Sequence, residues 1–465
     1  MPARVLIPVL FLFVSICSNA QKNNAEVWLT DPVNAVFFQK QLPLSFAERK
    51  EGGTIPFIVV DDKTKYQPID GFGFALTGGS AMNMMKMSAA ARSALIKELF
   101  AVNKNNIGTS YLRLSIGASD LNEFVFSYDD LPAGETDTAL LHFDLGPDKK
   151  DVIPVMKEIL KIDPSIKIMA SPWSPPVWMK NNHDTKGGNL LKEYYPAYAK
   201  YFVRYIQEMK KQSIHIDAIT VQNEPLHPGN NPSLQMFAPD QAEFVRDHLG
   251  PAFKKAHINT KIIIYDHNAD KPEYPISILD DPEAKKYIDG SAFHLYGGKI
   301  DALSKVHDAH PDKNLYFTEQ WVGAPGNFKR DIADHVRKLI IGATRNWSRN
   351  VIEWNLASDA AYKPHTDRGG CTSCLGAVTI SADSIKRNPA YYIIAHAAKF
   401  VRPGSVRIES SMEDPLPNAA FKTPSGKTVL IVLNTTNGDK TFDIVTNNKA
   451  ARAILPAGAV ATYIW

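Results

Sequence analysis

The chain is 465 residues long, 44% hydrophobic and 22% charged, which excludes a disordered chain because so apolar a sequence buries a sizeable core. Its 52 Lys and Arg against 49 Asp and Glu leave a net charge of +3, too near balance for a nucleic-acid binder that must neutralise phosphates. Three cysteines exclude a disulfide scaffold, and length alone suits about three domains of roughly 150 residues.

The first element reads as an export signal over residues 1–20. Arg4 is its positive end, residues 5–17 form a nearly unbroken apolar run, and Ser18-Asn19-Ala20 supplies the small residues a signal peptidase inspects. That run is too short to cross a bilayer core of ~30 Å, and no later apolar run approaches about 20 residues. The mature protein is therefore expected in the periplasm or outside the cell, with no transmembrane segment and as a monomer. A lipid anchor on Cys17 is the alternative, which Ile16 fits poorly because a small residue belongs there.

Residues 21–68 read as N-terminal strands, clearest at 25–29 and 56–60. From there the chain alternates apolar runs with amphipathic segments. Strands are expected at 71–76, 111–115, 167–171, 218–222, 262–265, 291–294, 315–318 and 351–354. Helices are expected between them at 88–100, 151–162, 193–211, 239–255, 301–309 and 328–347, with a poorly patterned stretch near 275–287. In the third of these, Tyr198, Phe202, Tyr205 and Met209 fall on one helical stripe. Eight strands separated by seven helical stretches predict an α/β fold, a (β/α)8 barrel over residues 69–390. A dinucleotide-binding sheet would want G-x-G-x-x-G after its first strand, and Leu76 stands where the third glycine belongs. Residues 391–465 hold short alternating runs at 418–422, 428–433, 441–444 and 459–464, broken by turn residues. They predict an accessory antiparallel β-sandwich that the N-terminal strands join.

Catalytic groups of such barrels stand where strands end. Strand four runs into Asn223-Glu224-Pro225, and strand seven into Glu319-Gln320-Trp321. Two glutamates on one rim suit glycosidic cleavage, in which one carboxyl protonates the departing oxygen and the other meets the sugar carbon. That division of labour wants the proton donor raised in pKa and its partner low. Aromatic residues gather at other strand ends: Trp173 and Trp178 after strand three, Tyr296 after His294 on strand six, Trp321 after strand seven and Trp354 on strand eight. Tryptophan faces suit the apolar C–H faces of sugars. Arg113, ending strand two, is placed to hold a catalytic carboxylate ionised, and an ordinary barrel ion pair is the competing reading. Asp266-His267-Asn268 reads as rim hydrogen bonding. His183, His227, His267 and His294 lack ligand spacing, so neither a metal nor a cofactor is expected. Cys371 and Cys374, in a Gly-rich loop, read as a short loop-pinning disulfide or two free thiols.

Gly71-Phe-Gly73, Arg113, Ser171-Pro-Trp173-Ser-Pro-Pro, Asn223-Glu224-Pro225, His294-Leu-Tyr296, Thr318-Glu319 and Trp354-Asn355-Leu-Ala fall in order at successive strand ends. In this the chain resembles glycoside hydrolase family 30, from about Tyr66 to the C-terminus. The resemblance implies a retaining mechanism, with Glu224 as acid/base and Glu319 as nucleophile. It implies that Arg113, Trp173, Asn223, Tyr296 and Trp354 line the subsite of the cleaved sugar, and that Asn223 bonds its 2-hydroxyl. Tyr296 is expected to donate to Glu319, with His294 behind it. Glucosylceramidase-like members carry an aspartate after strand one, where this chain has Gly78. The Thr77-Gly-Gly-Ser80 stretch and the loop at 369–379 look more like the β-1,6-glucanase branch. The expected activity is thus an endo-β-1,6-glucanase acting on a β-glucan. The alternatives are a glucosylceramidase or other exo-β-glycosidase, and a non-catalytic carbohydrate-binding barrel.

Overall fold

The computed structural model describes residues 24–49, 54–412 and 414–465; the expected signal segment, with Cys17, lies outside them. Eight parallel strands close into a barrel: Gly71–Ala75, Tyr111–Ile116, Lys167–Pro172, Ala218–Thr220, Lys261–Ala269, Ile288–Gly298, Asn314–Glu319 and Ser348–Asn355. Each falls where the apolar runs place it. Strand four stops at Thr220, so Gln222, Asn223 and Glu224 stand just beyond it. Inside the barrel Tyr111, Met169, Ala218, Ile263, Ala292, Tyr316 and Ile352 pack into one buried cluster, so the barrel is a filled core rather than a pore.

The helices follow from their caps and stripes. Ser88 accepts from the Ala91 amide to start Ala89–Phe100, and Asp151 caps Val152–Ile162. Tyr195–Lys211 buries Tyr198, Phe202, Tyr205 and Met209 on the barrel side. Two long helices differ from a plain α reading, because each holds a π segment, Phe244–Leu249 and Val336–Ala343. The poorly patterned stretch divides into Glu273–Leu279 and Pro282–Lys285. Two helices go beyond the sequence reading. Gly78–Met85 follows strand one, capped by Thr77, and Pro389–Ala398 spans the expected boundary at residue 390 and packs on strand one.

The sandwich is woven from both chain ends. Asn24–Asp31 lies between Val36–Ser45 and Val460–Ile464, and Phe57–Pro68 lies between Val406–Ser410 and Lys440–Thr446. His396 of the last barrel helix joins the two bodies, with its ring nitrogens 2.8 Å and 2.9 Å from the hydroxyls of Thr30 and Thr462. No helix among the described residues is long and apolar enough to cross a membrane.

Candidate active site

The strands deliver their polar ends to one rim, and two backbone irregularities turn the key groups inward. In pairing with strand six, strand five skips Asp266 and strand seven skips Thr318. Both residues are bulged out of the ladder, and they meet at the centre, with the Thr318 hydroxyl donating to Asp266 Oδ1 at 2.6 Å. Tyr265, Asp266 and Glu224 all have positive φ, at 71°, 63° and 46°, which non-glycine residues adopt only when their surroundings force it.

Arg113 binds this centre together. Its Nε donates to Ser171 at 3.0 Å, its Nη1 to Glu319 Oε2 at 2.6 Å, and its Nη2 to Asn223 Oδ1 and Asp266 Oδ2 at 2.7 Å each. Asp266 also accepts from Thr220 at 2.6 Å and lies 3.1 Å from His294 Nε2. Burial opposes its charge, yet Arg113, His294 and Thr220 hold the carboxyl far below the usual range. Reading Asp266 as rim hydrogen bonding is therefore corrected: it is a buried hub. A bulge breaks the two-residue alternation of a strand, so no local pattern announces it.

Glu224 and Glu319 face each other across His294, with donor atoms of all three within 4.8 Å of one another. His294 Nδ1 lies 3.2 Å from Glu224 Oε1 and 3.8 Å from Glu319 Oε1. Asn230 donates to Glu224 Oε2 at 3.1 Å, and the Tyr296 hydroxyl donates to Glu319 Oε1 at 2.9 Å. The Tyr296 contact is where it was expected, whereas His294 is not behind Tyr296. It sits between the two glutamates because Asp266 grips its far nitrogen.

Burial opposes a charge on His294, but Glu319, Asp266 and Glu224 hold it up to about 9. Burial lifts Glu224, but the His294 hydrogen bond and the charges of His294, His267 and His227 together outweigh it, so Glu224 lies below its ordinary value. Burial lifts Glu319 above its own, with the charges of Glu224 and Asp266 adding to it against His294 and Arg113. This ordering reverses the one expected for an acid and a nucleophile. The reason is His294, whose hydrogen bond and charge favour the ionised form of Glu224 in the sugar-free site. His294 and Glu224 share one proton at their 3.2 Å contact.

The two glutamates open on a cavity of about 310 Å³ lined by Asp120, His227, Asn230, Asn268, Tyr296, Trp321, Trp354, Cys371 and Cys374 beside them. Of the residues expected to contact substrate, Tyr296, Trp321 and Trp354 line it. Arg113, Trp173, Asn223 and His294 are buried behind it. Trp173 packs on Trp354 at a ring distance of 5.3 Å, with the Arg113 guanidinium 4.9 Å from the Trp173 ring. Cys371 and Cys374 form a disulfide in the cavity wall. Their loop is tied to the Trp321 loop by the pairs Val322 with Leu375 and Gly323 with Cys374.

Asp120, like Asn230, is a cavity residue that sequence reasoning missed. Burial first, then the charges of Glu319 and Glu224, raise its carboxyl to about 8. Its position explains Gly78. A Cβ at residue 78 would come 2.0 Å from Asn122 Nδ2, so a side chain there and Asn122 exclude one another. Asn122 in turn accepts from the Ser119 amide at 2.9 Å and fixes the turn that carries Asp120. The signal was the glycine itself, where the resemblance implies an aspartate in glucosylceramidase-like members.

A cation would accept the spacing of Glu224, His294 and Glu319, but these atoms already engage one another, Arg113, Tyr296 and Asn230. Of the four histidines raised for metal binding, His294 alone joins a candidate cluster among the described residues.

An eight-stranded barrel with two facing buried glutamates on its rim defines this chain as a glycoside hydrolase. It belongs to glycosyl hydrolase family 30: the family's TIM-barrel domain matches residues 69–401 and its beta sandwich domain residues 404–463. It is 33% identical over 409 residues to endo-1,6-beta-D-glucanase neg1 of Aspergillus fumigatus, covering 82% of each chain. It is 28% identical to lysosomal acid glucosylceramidase of Mus musculus, over 91% of this chain and 86% of that one. The solved endo-beta1,6-glucanase BT3312 superposes with a TM-score of 0.86 at 32% identity, over 95% of this chain and 99% of that one.

Proposed function

We propose that this glycoside hydrolase is an exported, retaining endo-β-1,6-glucanase, with Glu319 as nucleophile and Glu224 as acid/base. The observation that carries the mechanism is the approach of the two carboxylates within 4.8 Å. Retaining pairs stand about 5–5.5 Å apart, whereas inverting pairs leave about 6.5–9.5 Å for a water. The linkage rests on the relatives named endo-1,6-β-glucanases and on Gly78. Export rests on the N-terminal segment, and the Cys371–Cys374 disulfide suits an oxidising compartment.

In the first step a Glu319 oxygen bonds to the anomeric carbon as the bond to the departing oxygen breaks. That oxygen takes the Glu224 proton, which His294 holds in the resting site and passes across their contact. Arg113 and Tyr296 keep Glu319 in place, and their hydrogen bonds favour its ionised form. In the second step Glu224 takes a proton from water, whose oxygen displaces Glu319 from the sugar. Arg113 occupies Asn223 Oδ1, which leaves the amide nitrogen to donate to the sugar 2-hydroxyl. Trp354 and Trp321 offer apolar faces to the ring, and neutral Asp120 offers a proton to a hydroxyl.

The test is digestion of β-1,6-glucan, β-1,3-glucan and glucosylceramide, with products separated by size and their anomeric form read by proton NMR. Internal oligosaccharides of retained β configuration from the β-1,6 polymer are expected. Release of α products overturns the retaining mechanism, and cleavage of glucosylceramide alone overturns the glucan assignment.

A further inference from the structure

Away from the cavity, the segment joining strand two to the helix Val152–Ile162 buries a second group of ionisable side chains. Asp129 is 1% exposed, and neither of its carboxylate oxygens has a hydrogen-bond partner. Asp137 is 6% exposed and accepts from the His142 amide at 2.8 Å, with His142 Nδ1 3.0 Å from the same oxygen. One donor atom from each of Asp129, Asp137 and His142 lies within 4.8 Å of the others. A buried carboxylate with no partner is costly, and a second carboxylate beside it adds repulsion. Proteins keep such groups when a cation completes them.

We propose that Asp129, Asp137 and His142 form a binding site for one divalent cation of the zinc class, which braces this segment. Two carboxylates and one imidazole are a mixed oxygen and nitrogen set, suited to zinc with a water in the fourth position. Calcium and magnesium would prefer oxygen ligands throughout. The half of the site under His142 opens to solvent, which gives the ion a route in, since the His142 side chain is 67% exposed. The braced segment is connected to the active-site rim. The Trp178 indole donates to the Asp129 carbonyl at 3.0 Å, and the turn that carries Asp120 lies in the same segment. The sequence reading expected no metal, having weighed only His183, His227, His267 and His294.

The test titrates zinc chloride into chelator-treated, dialysed enzyme, read by calorimetry and by thermal unfolding. About one equivalent should bind with a rise in Tm, and Asp129→Asn and His142→Ala should each weaken binding by about tenfold or more. The same equivalent should persist in Glu224→Gln, which separates this site from the catalytic carboxylates. Without metal, Asp129→Asn should unfold at the same temperature as the parent or higher, because it removes a buried unpaired charge. Absence of saturable zinc binding, equal binding in Asp129→Asn, loss of the equivalent in Glu224→Gln, or tighter binding of calcium than zinc would each overturn the proposal.

Discussion

Replacement of Asp120 by asparagine tests whether a neutral carboxyl in the cavity serves the sugar. The Asp120 carboxyl is held at about 8 by burial and by the charges of Glu319 and Glu224. At pH 6 its neutral form therefore outnumbers the ionised one by about a hundredfold, and at pH 9 the ratio is about one to ten. If only the neutral form donates to the substrate, kcat/KM of the parent falls about tenfold between pH 7 and pH 9 through this group alone. The asparagine amide has nearly the same shape as the carboxyl, still donates, and cannot ionise. Asp120→Asn should thus match the parent near pH 6 within a few-fold and hold its activity upward until His294, at about 9, gives up its proton. The assay is reducing-sugar release from soluble β-1,6-glucan at limiting substrate, because kcat/KM reports the free enzyme. Coincident basic limbs for the two proteins would refute the reasoning. So would an inactive Asp120→Asn at pH 6 with unchanged Tm.

Three further outcomes are expected. Glu224→Ala should slow cleavage of unactivated glucans by about a hundredfold or more yet largely spare aryl β-glucosides with acidic leaving groups, and equal losses on both would remove its acid role. Gly78→Asp should lower Tm and activity together, because its Cβ meets Asn122 Nδ2 at 2.0 Å, and Asn122→Gly should restore part of the Tm; an unchanged Tm in the single variant would show that the turn yields freely. His396 is held down to about 3 by burial and bonds both Thr30 and Thr462, so the unfolded chain binds the extra proton between about pH 3 and 6.5. Its share of stability is therefore complete above that window and fades as pH falls through it, by up to about 1.4 kcal/mol per unit. His396→Gln should flatten the dependence of urea midpoints on pH in that window, and parallel slopes would exclude His396 as the cause.

The barrel was legible because its evidence is repetitive. Each apolar run is short, bounded and followed by an amphipathic segment, and a closed parallel barrel repeats that unit. Strand-end chemistry was legible for a related reason, since Glu224 and Glu319 directly follow recognisable strands. What the sequence hid arises where the backbone leaves its period. Asp266 and Thr318 are bulged, so alternation assigns them no inward face, yet they form the hub beneath the catalytic pair. Asp120 comes from a long segment whose course depends on packing against Gly78 and Asn122. Trp173, whose place at a strand end suggested contact with sugar, is 2% exposed and packs on Trp354 beside the Arg113 guanidinium.

The buried charges also explain why the pair of glutamates is held so tightly. Arg113 and cationic His294 face Asp266, Glu319 and Glu224, so the centre carries one more acid than base, and the proton on His294 is the one that can pass to an acid. Asp266 cannot take that proton, because Arg113, His294, Thr220 and Thr318 fill its oxygens. It also holds the imidazole by the far nitrogen, which leaves Nδ1 directed at Glu224. The mobile proton is thereby confined to the groups that face the cavity. The strained φ values at Tyr265, Asp266 and Glu224 follow from the same demand, since a regular strand five would carry Asp266 out of reach of Arg113 and His294.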